Sequence, residues 1–184
     1  MKKILIFFYF FILLVPSQAN KKDEIILNLE KINNLTFNFK QIINGKEQRG
    51  ECIIEYPKKI FCLYDNKNKK MIISNGKSLV VKNKNINQYY LYPIEKTPLA
   101  LILDKEYLIN SIKKLQGRIV DKKYLNFTLK EKNNKINIFF NSKTLGLTGW
   151  QTEDIYENLT ITFISNIKVN KKIDKKKFIL PKNN

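Results

Sequence analysis

The chain has 184 residues, 43% of them hydrophobic and 27% charged, with 34 Lys and Arg against 16 Asp and Glu, a formal charge of +18 and no His. That length suits one domain around a single core, and the missing His excludes His-based nucleophilic triads and the commonest metal ligand. The lysines are dispersed rather than gathered into one run, so they read as solvated strand faces and turns more than as a nucleic-acid footprint, with attraction to anionic membrane surfaces as the functional alternative.

Met1 to Ala19 has the three regions of a secretory signal peptide: Lys2 and Lys3, the apolar run Ile4 to Val15, and a small-x-small ending at Ser17, Gln18 and Ala19. A bilayer core asks for roughly 20 apolar residues, more than this run supplies. The expected mature chain is therefore residues 20–184, carrying +16 once Lys2 and Lys3 are set aside. No Cys follows the cleavage position, since the first is Cys52, so the mature protein is expected to be soluble and unlipidated.

Asp23 to Asn33 places Ile25, Leu29 and Ile32 at helical spacing with Ile26 beside them, and Asp23 is positioned to cap that helix. From Leu35 the period becomes two, with Leu35, Phe37 and Phe39 alternating with polar neighbours as in a half-buried strand. Asn44-Gly45 marks a turn, Gly50 to Tyr56 a strand, Pro57-Lys58 a break and Ile60 to Tyr64 the return. Asn75-Gly76 predicts a type I′ hairpin joining Lys70–Ser74 to Lys77–Lys82, and Asn83 to Asn85 a further turn before Ile86 to Tyr92. Pro98 to Leu103 and Tyr107 to Leu115 read as short helices. Strands then resume at Arg118–Asp121, Tyr124–Lys130, Lys135–Phe140, Gly146–Glu153 and Asn158–Val169, ahead of a lysine-rich tail with an apolar anchor at Phe178 to Leu180.

This pattern gives an antiparallel meander with more large apolar side chains than one sheet face and a few short helices require. A sheet curled around covering helices can hold that surplus as a pocket, or fill it as ordinary core. Cys52 and Cys62 lie five residues to either side of Pro57, which places them opposite one another across a hairpin as a disulfide or as two small buried thiols. Nothing points to an enzyme. There is no Gly-x-Ser-x-Gly elbow, two Cys make no zinc site, and Glu153 and Asp154, as strand neighbours, face opposite ways.

Three stretches together resemble the LolA family of periplasmic outer-membrane lipoprotein carriers: Gly50 to Asp65 (GECIIEYPKKIFCLYD), Ile72 to Leu103 with its Asn-Gly-Lys hairpin and Thr-Pro-Leu-Ala-Leu segment, and Leu147 to Leu180 with its Trp150 strand. The resemblance implies a mainly β fold, an incomplete antiparallel β-barrel of about eleven strands, with a lid of short helices over a hydrophobic cavity. The cavity would be lined by Phe37, Phe39, Ile54, Tyr56, Tyr64, Leu79 and Val81, and the lid formed by Ile25, Ile26, Leu29, Pro98, Leu99, Leu101 and Ile102. It further implies acylated lipoproteins as cargo, the inner-membrane LolCDE ABC transporter as donor, a LolB-like receptor or direct membrane delivery at the outer membrane, a monomer, and neither cofactor nor nucleic acid. The family's latch Arg, just before the turn Pro, is replaced by Tyr56, and Arg49 is out of register to substitute for it. A lipid-sensing or generic hydrophobic-ligand-binding envelope protein of the same fold is the alternative.

Overall fold

The computed structural model describes residues 18–67, 69–83, 89–131, 134–153 and 159–181. Within them runs one sheet in which each strand is antiparallel to its neighbours. Helix α1 (Gln18–Glu30) leads into β1 (Asn34–Ile43), β2 (Lys46–Glu55), β3 (Lys59–Tyr64), β4 (Met71–Asn75), β5 (Ser78–Lys82) and β6 (Tyr89–Pro93). A 3-10 turn (Ile94–Lys96), α2 (Ala100–Leu103) and α3 (Lys105–Lys114) follow, then β7 (Arg118–Val120), β8 (Tyr124–Glu131), β9 (Asn134–Asn141), β10 (Leu147–Glu153), β11 (Leu159–Val169) and a second 3-10 turn (Lys175–Phe178).

The strand order is β6-β5-β4-β3-β2-β1-β11-β10-β9-β8-β7, so the sheet curls without closing and leaves β6 and β7 as its two edges. The fold is thus an incomplete antiparallel barrel with helices on its concave side, as expected. Its central seam, β1 against β11, joins residues far apart in sequence, such as Phe39 opposite Ile164. No helix among the described residues is long and apolar enough to cross a membrane.

Three local expectations are corrected. Asp23 lies inside α1 rather than capping it, because the polar residues before it continue the helix back to Gln18, and α1 ends at Glu30 instead of Asn33. The Asn75-Gly76 turn is not type I′: only Gly76 has positive φ (99°), and Asn75 instead accepts the backbone N–H groups of Lys77 and Ser78 through Oδ1. That side-chain turn competes with the two-residue hairpin, so Ser74 pairs with Leu79 across a longer loop. Gly50 does not begin its strand, because β2 starts at Lys46, directly after the Asn44-Gly45 turn whose two residues both take positive φ (48° and 74°). The expected turn at Asn83 to Asn85 falls largely outside the described residues.

The tail crosses the convex face. Phe178 is buried where the turn Lys175–Phe178 meets β3 and β4, Lys177 lies 5.4 Å from the Phe61 ring centre, and Lys175 pairs with Glu55. This cover explains why Ile73 and Val80, which face outward, are buried.

Candidate hydrophobic binding site

Strand register places the expected lining on one face. Leu35, Ile54, Ile60, Ser74 and Leu79 form one row across β1 to β5, and Phe37, Cys52, Cys62, Ile72 and Val81 form the next. A third row is Phe39, Gly50 and Tyr64. Glycine is required at position 50: a Cβ would sit 2.8 Å from the Phe39 ring and 2.1 Å from the Leu63 carbonyl. With no side chain there, Phe39 leans into the gap and meets Tyr64 edge-on at 4.8 Å between ring centres. Cys52 and Cys62 are paired across β2 and β3 as a disulfide, with Cα atoms 4.1 Å apart.

The concave face also contains residues absent from the expected lining. Trp150 meets Phe37 edge-on across the curl at 6.1 Å, and Phe127 and Phe140 stack edge-on at 6.0 Å farther round. Leu125, Leu129, Ile136 and Ile138 complete that half against Leu108 and Ile112 of α3. Their alternation along β8 and β9 is the signal that marks them. A small polar relay crosses the interior: Tyr64 Oη donates to Gln41 Oε1 (2.9 Å), and Gln41 Nε2 donates to Thr162 Oγ1 (3.0 Å). Burial raises the Tyr64 phenol to about 12.

The expected lid residues are all set against this face. Ile25, Ile26 and Leu29 of α1 are buried, Pro98 and Leu99 are half-buried, and the four residues of α2 are between 0 and 5% exposed. α2 therefore fills the concavity rather than roofing an open one. A small pocket of about 40 Å³ on this face, lined by residues including Phe39, Tyr64, Leu99 and Trp150, is far below the ~300 Å³ of an ordinary ligand pocket. Larger depressions, about 580 Å³ beside Phe61 and about 710 Å³ beside α3, are open to solvent.

Polar bonds hold the ends of the helical cover. The Lys58 backbone N–H donates to the Leu103 carbonyl at the end of α2 (2.8 Å), and Lys58 Nζ reaches Glu95 Oε1 (2.7 Å) and Asp104 Oδ2 (3.1 Å) on either side of that helix. Those two carboxylates, Glu95 first, raise the Lys58 pKa. Asp104 Oδ1 also accepts the Tyr107 N–H and so caps α3 (3.0 Å), while Ser74 Oγ donates to the Lys58 carbonyl (2.9 Å). Lys105 Nζ donates to the carbonyls of Glu30 and Ile32, tying α3 to the end of α1. Arg49, in contrast, pairs with Glu47 on the convex side.

Tyr56 makes no such bond. Its ring packs against the core, and its hydroxyl is the one buried side-chain oxygen or nitrogen without a hydrogen-bond partner among the described residues. Leaving a neutral donor so placed costs about 1–3 kcal/mol.

Residues 30–180 match the family model described as outer membrane lipoprotein carrier protein LolA. The chain belongs to this family. LolA-family members are periplasmic proteins that bind hydrophobic ligands and act as carriers rather than as enzymes. Among solved structures, an uncharacterised conserved protein from Thermus thermophilus is similar at 6% identity, with a TM-score of 0.51 over 91% of this chain and 96% of that one. A LolA superfamily protein from Nitrosomonas europaea is similar at 9% identity, TM-score 0.48, over 86% and 97%. A putative outer membrane lipoprotein-sorting protein domain from Vibrio parahaemolyticus is similar at 8% identity, TM-score 0.48, over 87% and 97%. No curated protein sequence matches the chain.

Proposed function

We propose that this protein is a periplasmic carrier that takes acylated lipoproteins from the inner-membrane LolCDE transporter and hands them to the outer membrane, through a LolB-like receptor or directly. In this reading Met1 to Ala19 directs export and is removed, and the disulfide between Cys52 and Cys62 forms in the oxidising compartment that export reaches.

The observation that carries the reading is α2. Ala-Leu-Ile-Leu is an apolar plug seated in an apolar concavity, fixed at its ends by a few polar bonds to Lys58. Apolar burial is not directional, so hydrocarbon can replace hydrocarbon there. Each CH₂ moved from water into such a site is worth ~0.8 kcal/mol, which keeps acyl chains out of an aqueous compartment unless a carrier supplies equivalent surroundings. Exchanging α2 for acyl chains keeps the sheet covered. The balance between closed and loaded forms then rests on the short set of latch bonds, which makes loading and release both accessible. Lys58 thus takes the place of the missing latch Arg: it follows the turn Pro, and it secures α2 by backbone and side chain together.

The test is mass spectrometry of the protein isolated gently from the periplasm. Co-purifying acylated proteins are expected, and a chain retaining none under mild conditions argues for the same fold used as a sensor or for another hydrophobic ligand.

A further inference from the structure

The latch role does not use Tyr56, whose side chain follows Cys52 and Ile54 in the inward alternation of the second strand. It stands where three segments meet. Its backbone N–H donates to the Asn33 carbonyl between α1 and β1 (3.0 Å), and Lys105 Nζ, at the start of α3, lies 5.9 Å from its ring centre. Asp104 and Lys105, which end α2 and begin α3, share that corner. The phenol is therefore at the rim of the apolar interior, beside the helical cover, with its donor unused.

An acyl chain presents a problem that matches this one. Its methylenes suit the concavity, but the ester or amide carbonyl at its head arrives as a buried acceptor needing a donor. Tyr64 cannot serve, because its hydroxyl is committed to Gln41. Resting on the carrier reading, we propose that the Tyr56 hydroxyl donates to an ester or amide carbonyl of the bound lipid, so that the site selects acyl chains over ethers and plain hydrocarbon. Burial pushes the Tyr56 phenol well up from its ordinary range, which keeps the proton on the oxygen throughout the physiological pH range. Closed, the protein bears an unpaired donor; loaded, the donor is satisfied.

The test uses displacement of a hydrophobic dye from the full mature protein by two short-chain phosphatidylcholines of equal chain length, one ester-linked and one ether-linked. Wild type should bind the ester about fivefold to tenfold more tightly, the range of one neutral hydrogen bond. Tyr56→Phe should bring the ester down to the ether value, leave the ether unchanged, and raise the melting temperature of the unliganded protein by removing an orphaned hydroxyl. Equal affinity of wild type for both lipids, or a preference that survives Tyr56→Phe, overturns the carbonyl contact while leaving the carrier reading in place. Failure of both lipids to displace the dye defeats the two together.

Discussion

The two halves of the curled sheet both bury apolar surface but do so in different ways. Around β8 and β9, Phe127, Phe140, Ile138 and Leu125 interdigitate with Leu108 and Ile112 of α3, a ten-residue helix with a side-chain cap at one end. Around β1 to β5, the cover over the rows headed by Leu35 and Phe37 includes α2, a single turn of helix with no side-chain cap of its own. The lesson is that burial alone does not separate core from site. A surface covered by a long, self-supporting element opens only with the whole fold, whereas one covered by a short element held at its ends can open locally, which is what the carrier proposal requires of α2.

The sharpest contrast comes from truncating one side chain in each half. Phe127→Ala should cost about 3–5 kcal/mol in denaturant unfolding and leave lipid affinity per folded molecule unchanged. Leu101→Ala should cost nearer ~2 kcal/mol, because α2 can detach locally, and should increase lipid uptake by weakening the competitor for the concave face. Equal losses in the two, with no change in uptake, would erase the distinction. A smaller effect tests the latch: Lys58→Met removes the ion pairs with Glu95 and Asp104 but keeps the backbone bond to Leu103, so stability should fall by less than about 1 kcal/mol while dye uptake accelerates.

A separate effect is on pH dependence. Burial lowers Lys70, whose Nζ lies 3.6 Å from the Tyr64 ring centre, to about 8, while an unfolded lysine titrates near ~10.4. Between those values the unfolded chain holds the proton and the folded one releases it, so stability should rise as pH goes from about 8 to about 10. Lys70→Met should flatten that rise in melting temperature. Above about pH 10 the buried tyrosines act in the opposite direction, since they ionise later in the folded state.

Much of the fold was legible because strand period and turn residues agree. Leu35, Phe37 and Phe39 alternate cleanly, the 44–45 turn behaves as its Asn-Gly pair predicts, and the spacing of Cys52 and Cys62 about Pro57 matches their register. Asn75-Gly76 misled because dipeptide identity does not show that the Asn75 side chain takes the turn's hydrogen bonds. The latch was not legible: Lys58, Glu95, Leu103 and Asp104 are brought together only by the path of the chain across the sheet, and Lys58 is one lysine among many. Nor could composition distinguish a hollow interior from one filled by α2, since the same apolar residues serve both.

The most direct measurement is amide hydrogen exchange of the unliganded protein and of the protein loaded with a diacyl lipid. On lipid loading, protection should be lost at Ile102 to Asp104 and at the Lys58 amide, which donates to Leu103 when α2 is seated, while β8 and β9 exchange as before. Lipid binding that leaves Ile102 to Asp104 and Lys58 as protected as in the empty protein would contradict the exchange of α2 for acyl chains.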